Sequence, residues 1–379
     1  MSFRYAAGIN KPGFNPLAAQ TSTTYYNLYS WGQNAYGQLG QGDTSNRSSP
    51  TTVGSLNTWL TTAAGSYISV VIKANGTLWS WGRGTSGQLG SGATADRSSP
   101  VQVGALTNWS SVSSGRYSCV ATKTDGTLWT WGNNYVGSLG LGNTTYYSSP
   151  KQVGSLTNWL KVAMSGYGTC VSIKTDGTIW SWGDNTYGAL GAGTSGGGTA
   201  RSSPVQIGAA TDWASVSCGM HFVVATKTNG SLYSWGRNNY GQLGLGDTTN
   251  RSSPVQVGAL TTWLILSTGY QHATSIKTDG TLWVWGVNDS GQLGLNNLTY
   301  YSSPKQVGSL TNWSKLAFGS IRAHNLSIKT DGTLWVWGLN NTGQLGLGNT
   351  TNRSSPVQVG ALTTWSSIAA GNYHSLGVE

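Results

Sequence analysis

The stretch SSPVQVGALTNWSSVSSGRYSCVATKTDGTLWTWGNNYVGSLGLGNT, Ser98–Thr144, decides the fold. Its Trp-Gly dipeptide at Trp131 recurs at Trp31, Trp81, Trp182, Trp235, Trp285 and Trp337, at steps of 50 to 53 residues. A fixed period of this kind marks a repeat protein, where each unit buries its apolar face only against its neighbours. Four strands are expected in the quoted unit and the start of the next: Trp109–Ser114, Tyr117–Lys123, Thr127–Trp131, and a fourth around Pro150–Val153. Asp125-Gly126 between two alternating runs is a strong hairpin signal. Proline cannot donate to a strand ladder, so Pro150 suits the start of an edge strand. Four antiparallel strands in a period of about 50 residues make one blade of a β-propeller.

All 19 tryptophans occupy repeat positions. Seven stand at the head of the first strand: Trp59, Trp109, Trp159, Trp213, Trp263, Trp313 and Trp365. The other twelve belong to the WxWG strand, where Tyr29 and Tyr233 replace the first Trp in two copies. Rings of this size between neighbouring sheets supply a core, so all of them read as structural. The end copies are incomplete in a complementary way. The chain opens with a third strand, Tyr26–Gly32, and closes with a first and second, Trp365–Val378. The expected fold is therefore all-β: a seven-bladed β-propeller over residues 25–379 whose last blade combines about 362–379 with 25–56. Such closure removes exposed sheet edges.

Only 8% of residues are charged, while Gly reaches 55 and Tyr 18. Low charge with abundant Gly resembles disorder, but disordered chains lack aromatics. The net charge is +10, and its 21 Lys and Arg form no run, so a nucleic-acid site is not expected. Cys119, Cys170 and Cys218 have no metal or redox spacing and read as buried thiols. There is no long apolar run that would span a membrane, and residues 1–24 lack the apolar core of an ordinary signal peptide. Those 24 residues match no repeat. They form an expected extended arm carrying Phe3, Arg4, Tyr5 and Phe14, either a tail or an anchor that orders on a partner.

Catalytic motifs are absent: no HExxH, GxSxG, phosphate loop or paired carboxylates. Asp125, Asp176, Asp279 and Asp331 read as turn residues. His221, His272, His324 and His374 each follow a Gly turn near the expected channel and read as structural, with no metal and no cofactor expected. The recurring Arg47, Arg97, Tyr147, Arg201, Arg251, Tyr301 and Arg353 precede the fourth strands. They form a candidate interaction rim, since Arg and Tyr are enriched in interfaces; stacking on a neighbouring blade's aromatic is the alternative. Symmetry is broken by a Gly-rich insertion at Thr194–Thr199 and by a longer turn at Ile321–Ala323.

The pattern WGxNxxGQLGxG, SSP, VxVGxL, a Gly turn often followed by His, then KTDGTLWxWG resembles the RCC1 repeat over roughly Tyr25–Glu379. That resemblance implies the seven-bladed disc, with loops on two faces that grip macromolecules. The family includes a nucleotide exchange factor on chromatin, a plant ultraviolet receptor, inhibitors of β-lactamase, ligase-associated domains and predicted phage proteins. The chain lacks the inserted hairpin of the exchange factor type and the Gly-Trp-Arg-His-Thr motifs of the photoreceptor type. The expectation is a non-enzymatic binding or structural module. Composition and the arm favour a virion-associated protein (phage decoration, tail or receptor-binding), with protein partners and glycan as a further one. The alternative is a soluble regulatory binder, such as an exchange factor or enzyme inhibitor, in the cytoplasm or outside the cell.

Overall fold

The computed structural model describes residues 26–55, 58–319 and 324–379. The arm at 1–24, with Phe3, Arg4, Tyr5 and Phe14, lies outside them, as do Ile321–Ala323. The described residues form seven antiparallel sheets of four strands each and no helix. In the blade of the quoted stretch, Trp109–Ser114 is innermost. Ser118–Lys123, Leu128–Gly132 and Tyr147–Gln152 follow outward. The fourth strand starts at Tyr147, not near Pro150, because Tyr147 pairs with Gly132 before a bulge shifts the register to Lys151↔Thr130. The bulge holds Pro150 where its missing N–H costs no ladder bond.

First strands of successive blades touch one another around the ring, and Ser367–Ala370 of the last lies beside Trp59–Ala64 of the first. The last blade is shared by the two ends of the described chain. Leu28–Gly32 pairs antiparallel with His374–Val378, from Leu28↔Val378 to Gly32↔His374, and Arg47–Thr52 pairs on its outer side.

Local chemistry sets these elements. In the Asp125-Gly126 hairpin, the Asp125 carboxylate accepts from the Thr127 N–H at 2.9 Å and hydroxyl at 2.6 Å. The Thr127 hydroxyl oxygen accepts from the Trp129 indole at 2.8 Å. Gly126 has φ 77°, and a Cβ there would lie 1.9 Å from the Thr157 carbonyl of the next blade, so only glycine fits. The long loop after Trp131-Gly132 is braced from inside: Asn134 Oδ1 accepts from Leu139 N and its Nδ2 donates to Asn143 O, both at 2.9 Å.

The core sits between blades. One cluster joins Ile68, Val70, Leu78 and the loop residue Leu89 of one blade to Trp109, Cys119 and Trp131 of the next. The seven inner tryptophans are 1–5% exposed. Each meets the following WxWG ring edge-on, as Trp109 and Trp131 do at 6.0 Å. The Trp131 N–H crosses to the preceding blade and donates to the Gln88 carbonyl at 2.9 Å.

Candidate functional site

The blade geometry assigns loops to two faces. The turns between first and second strands and the long loops after Trp-Gly share one, here called the long-loop face. The Asp-Gly turns and the links between blades share the other. Cations divide by type between them. All eight arginines among the described residues stand on the long-loop face: Arg83, Arg116 and Arg237 in its loops, and Arg47, Arg97, Arg201, Arg251 and Arg353 at the adjoining ends of outermost strands. None of the ten described lysines does. Lys73, Lys123, Lys174, Lys227, Lys277 and Lys329 end second strands at the opposite face, lying over Trp or Tyr rings, as Lys123 Nζ does 3.5 Å from the Trp129 centroid.

The rim residues occupy one outermost strand each, so they are spread around the perimeter and do not converge. Among the described residues none of the rim arginines lies over an aromatic ring, whereas Tyr301 packs against the core cluster of Trp313 and Trp337. Arg47 pairs with Asp43 and Arg251 with Asp247, each at 2.6 Å. Arg201 donates to the Thr199 and Ala200 carbonyls. Tyr147 and Tyr301 lie under Lys151 and Lys305 at 5.6 and 5.5 Å. Arg97 is exposed and Arg353 half-buried.

Convergence occurs at the mouth of the channel on the long-loop face. A cavity of about 420 Å³ opens there, lined among others by Tyr67, Arg116, Tyr167, Gln271 and Asn372. Arg83 lies 5.0, 5.9 and 5.5 Å from the ring centroids of Tyr36, Tyr67 and Tyr117. Arg116 lies 4.9 Å from Tyr117 and 5.9 Å from Tyr167. Arg237 lies 4.9 Å from Tyr187 and 5.7 Å from Tyr240.

The histidines separate into two kinds. His272, His324 and His374 open second strands, fully buried. The His374 Nε2 contacts Ser69 Oγ at 3.1 Å, and Ser69 spends its own proton on the Gln38 carbonyl. His324 repeats this with Ser375 and Gln344, and His272 with Asn325 and Gln292. Each imidazole therefore donates from Nε2, which fixes the neutral tautomer. Burial pushes their pKa values down to about 4, 3 and 4 for His272, His324 and His374.

His221 sits one place earlier, in the turn itself, with φ 57°. Its Nδ1 meets the buried Asp184 carboxylate at 2.7 Å, and its ring lies between Tyr167 and Tyr187 at 4.9 and 5.1 Å. A His–Asp pair could orient a general base, but among the described residues no hydroxyl or thiol is hydrogen-bonded to His221. Among those residues no group of three or more His, Cys, Asp or Glu could hold a metal ion. Burial raises the Cys119 thiol to about 12 and pushes the Cys218 thiol up as well, and leaves both inert.

Sequence reading passed over Arg83, Arg116, Arg237, Asp184 and the mouth tyrosines. A signal existed: the residue after each Trp-Gly varies (Gln33, Arg83, Asn133, Asp184, Arg237, Val287, Leu339) while its neighbours repeat.

Seven matches to the regulator of chromosome condensation (RCC1) repeat run from residue 27 to residue 378: 27–72, 75–122, 125–172, 176–226, 229–276, 279–320 and 331–378. The chain belongs to the RCC1 repeat family. Among curated relatives, the E3 ubiquitin-protein ligase HERC2 of Homo sapiens is 39% identical over 84 residues, 22% of this chain and 2% of that protein. The ultraviolet-B receptor UVR8 of Arabidopsis thaliana is 32% identical over 85 residues, 22% of this chain and 19% of the receptor. The match to these RCC1 relatives thus spans a small part of their length. Among solved structures, human WBSCR16 superposes with a TM-score of 0.83 at 21% identity, covering 93% of this chain and 98% of that one. Prp20p from Saccharomyces cerevisiae superposes at 0.82 and 18% identity, covering 94% and 92%. At such identities the likeness shows the shared RCC1 fold.

Proposed function

We propose that this chain is a non-enzymatic, regulatory protein-binding propeller that docks a partner on its long-loop face, at the arginine and tyrosine mouth. The segregation of every described arginine to that face carries the reading. Tyr and Arg are the residue types that dominate binding energy at protein interfaces. The structural relatives support it by analogy: Prp20p was studied for its binding to Gsp1p and histones, and yeast RCC1 was solved bound to Kap60. Photo-cross-linkers placed in the cell at Tyr240, 37% exposed on the long-loop face, and at Leu106, 47% exposed on the other, test it. A protein adduct at Tyr240 and none at Leu106 is expected. Adducts only at Leu106 would refute the face assignment. The finer forms, exchange factor or inhibitor, are separated by nucleotide release from small GTPases and by residual activity of candidate target enzymes.

Placement in a virion rests on composition and on the arm at 1–24, and the relatives named above lend it no support. Co-sedimentation with purified particles, lost on deleting residues 1–24, is its test; a chain absent from particles ends it.

A further inference from the structure

We infer that Arg83 and Arg116, which share the Tyr117 ring, form a clamp for carboxylates of an Asp- and Glu-rich segment of the partner, with Arg237 as a third point further round the mouth. This rests on the docking reading above. Both guanidinium groups stand close to one ring, 5.5 and 4.9 Å from the Tyr117 centroid. Further rings hold each from another side, Tyr36 and Tyr67 for Arg83 and Tyr167 for Arg116. Stacking restrains a long side chain before any ligand arrives, so less entropy is lost on binding.

Their charges are unspent. Among the described residues none of the three arginines forms an ion pair, whereas Arg47 and Arg251 on the rim are matched by their own aspartates. The Nε atoms of Arg116 and Arg237 are buried with no acceptor. Arg83 Nε reaches only the Thr85 hydroxyl, at 3.1 Å. The face carries five aspartates, Asp43, Asp96, Asp184, Asp247 and Asp289. Asp43 and Asp247 are paired with the rim arginines, Asp184 with His221, and Asp289, which lines the cavity, accepts from Ser290 and Gln292.

The fork of a guanidinium fits a planar carboxylate through two parallel hydrogen bonds, which favours an acidic segment. Nucleic acid fits less well. Bases need free aromatic faces, but the chain's own guanidinium groups lie over Tyr36, Tyr67, Tyr117, Tyr167, Tyr187 and Tyr240. The lysines that could extend a basic track are away from this face.

The test is fluorescence anisotropy on the full chain with a fluorescein-labelled dodecapeptide of alternating Glu and Ser. Its comparison probes are the Gln-for-Glu peptide, a phosphoserine-for-Glu peptide and an oligothymidine. The Glu peptide is expected to bind and the Gln peptide to fail. The double variant Arg83→Gln/Arg116→Gln should weaken binding roughly tenfold to a hundredfold, the range for hydrogen bonds to charged groups. Arg83→Lys/Arg116→Lys should recover only part of it, and the rim variant Arg97→Gln should bind as the parent does. Unchanged melting temperatures establish that the variants fold. Equal loss in Arg97→Gln, binding of the Gln peptide, or preference for phosphoserine or oligothymidine over Glu would each overturn the proposal. So would sedimentation showing that the double variant abolishes pairing between two copies of the chain. Peptide binding absent while the Tyr240 cross-link persists sinks the clamp alone; the converse sinks the docking reading alone.

Discussion

Seven times around the perimeter, a main-chain N–H in one long loop donates to a serine carbonyl in the next blade's outermost strand. The pairs are Gly42–Ser98, Gly92–Ser148, Gly142–Ser202, Gly193–Ser252, Gly246–Ser302, Asn296–Ser354 and Gly348–Ser48, all at 2.7–2.8 Å. The donor must hold a left-handed backbone; six glycines do so freely, and Asn296 does so at φ 58°. Asn296→Gly should stabilise the protein by about 0.5 kcal/mol, and Asn296→Val should destabilise it by roughly 1–2 kcal/mol, read from urea unfolding. The buried histidines predict a pH effect. Their folded pKa values lie below the unfolded 6.5, so the unfolded chain binds more protons between the two. Their contribution is whole above pH 6.5 and is lost as pH falls toward 4, with a slope approaching roughly 4 kcal/mol per pH unit for the three together. Urea midpoints across that window check this. His272→Phe, with the residue that the fourth blade carries at the same place (Phe222), should flatten the slope by about a third.

At the level of the blade, the closing sheet differs from the other six. Where those end their second strand with a lysine over aromatic rings, this one has Glu379, which accepts from the Tyr29 hydroxyl at 2.6 Å. That bond, ahead of burial, raises the Tyr29 pKa. The blade depends on pairing Leu28–Gly32 with His374–Val378, segments joined only around the whole ring. Truncation before His374 would uncover the edges of Leu28–Gly32 and Ser367–Ala370. Loss of a single cooperative transition and rising light scattering with concentration are expected. A truncated chain that stays monomeric and melts cooperatively would contradict this.

Across the whole molecule the core is seven clusters, each bridging two neighbouring sheets. Stability should then behave as a sum of neighbour terms around a closed loop. Trp109→Ala should cost about 3–5 kcal/mol. Combined with Trp263→Ala, three blades away, the losses should add to within about 0.5 kcal/mol; combined with Trp131→Ala, whose ring it touches, they should not. Double-variant denaturation curves decide it. Ring closure makes the last pairing maximally non-local, so refolding should be slow for the size of each unit.

Fold and blade number were legible in the sequence because each repeat position answers a local demand. Gly126 must turn, Asp125 must hold Thr127, and Trp109 must fill the gap to the next sheet, so one blade read correctly gives all seven. The fourth-strand start was misplaced because a bulge, not proline, sets it, and bulges leave no mark on periodicity. The rim was legible as a recurrence but not as a site, since seven equivalent positions on seven outer strands necessarily diverge. Arg83, Arg116 and Arg237 were invisible as a group. Arg83 and Arg237 share the place after Trp-Gly while Arg116 follows the Gly turn between first and second strands, and only curvature of the ring brings loops from these different blades to one face. Sequence periodicity determines what each blade is; the closed ring alone decides which side chains from different blades meet, because proximity across the channel is a property of closure and not of any single unit.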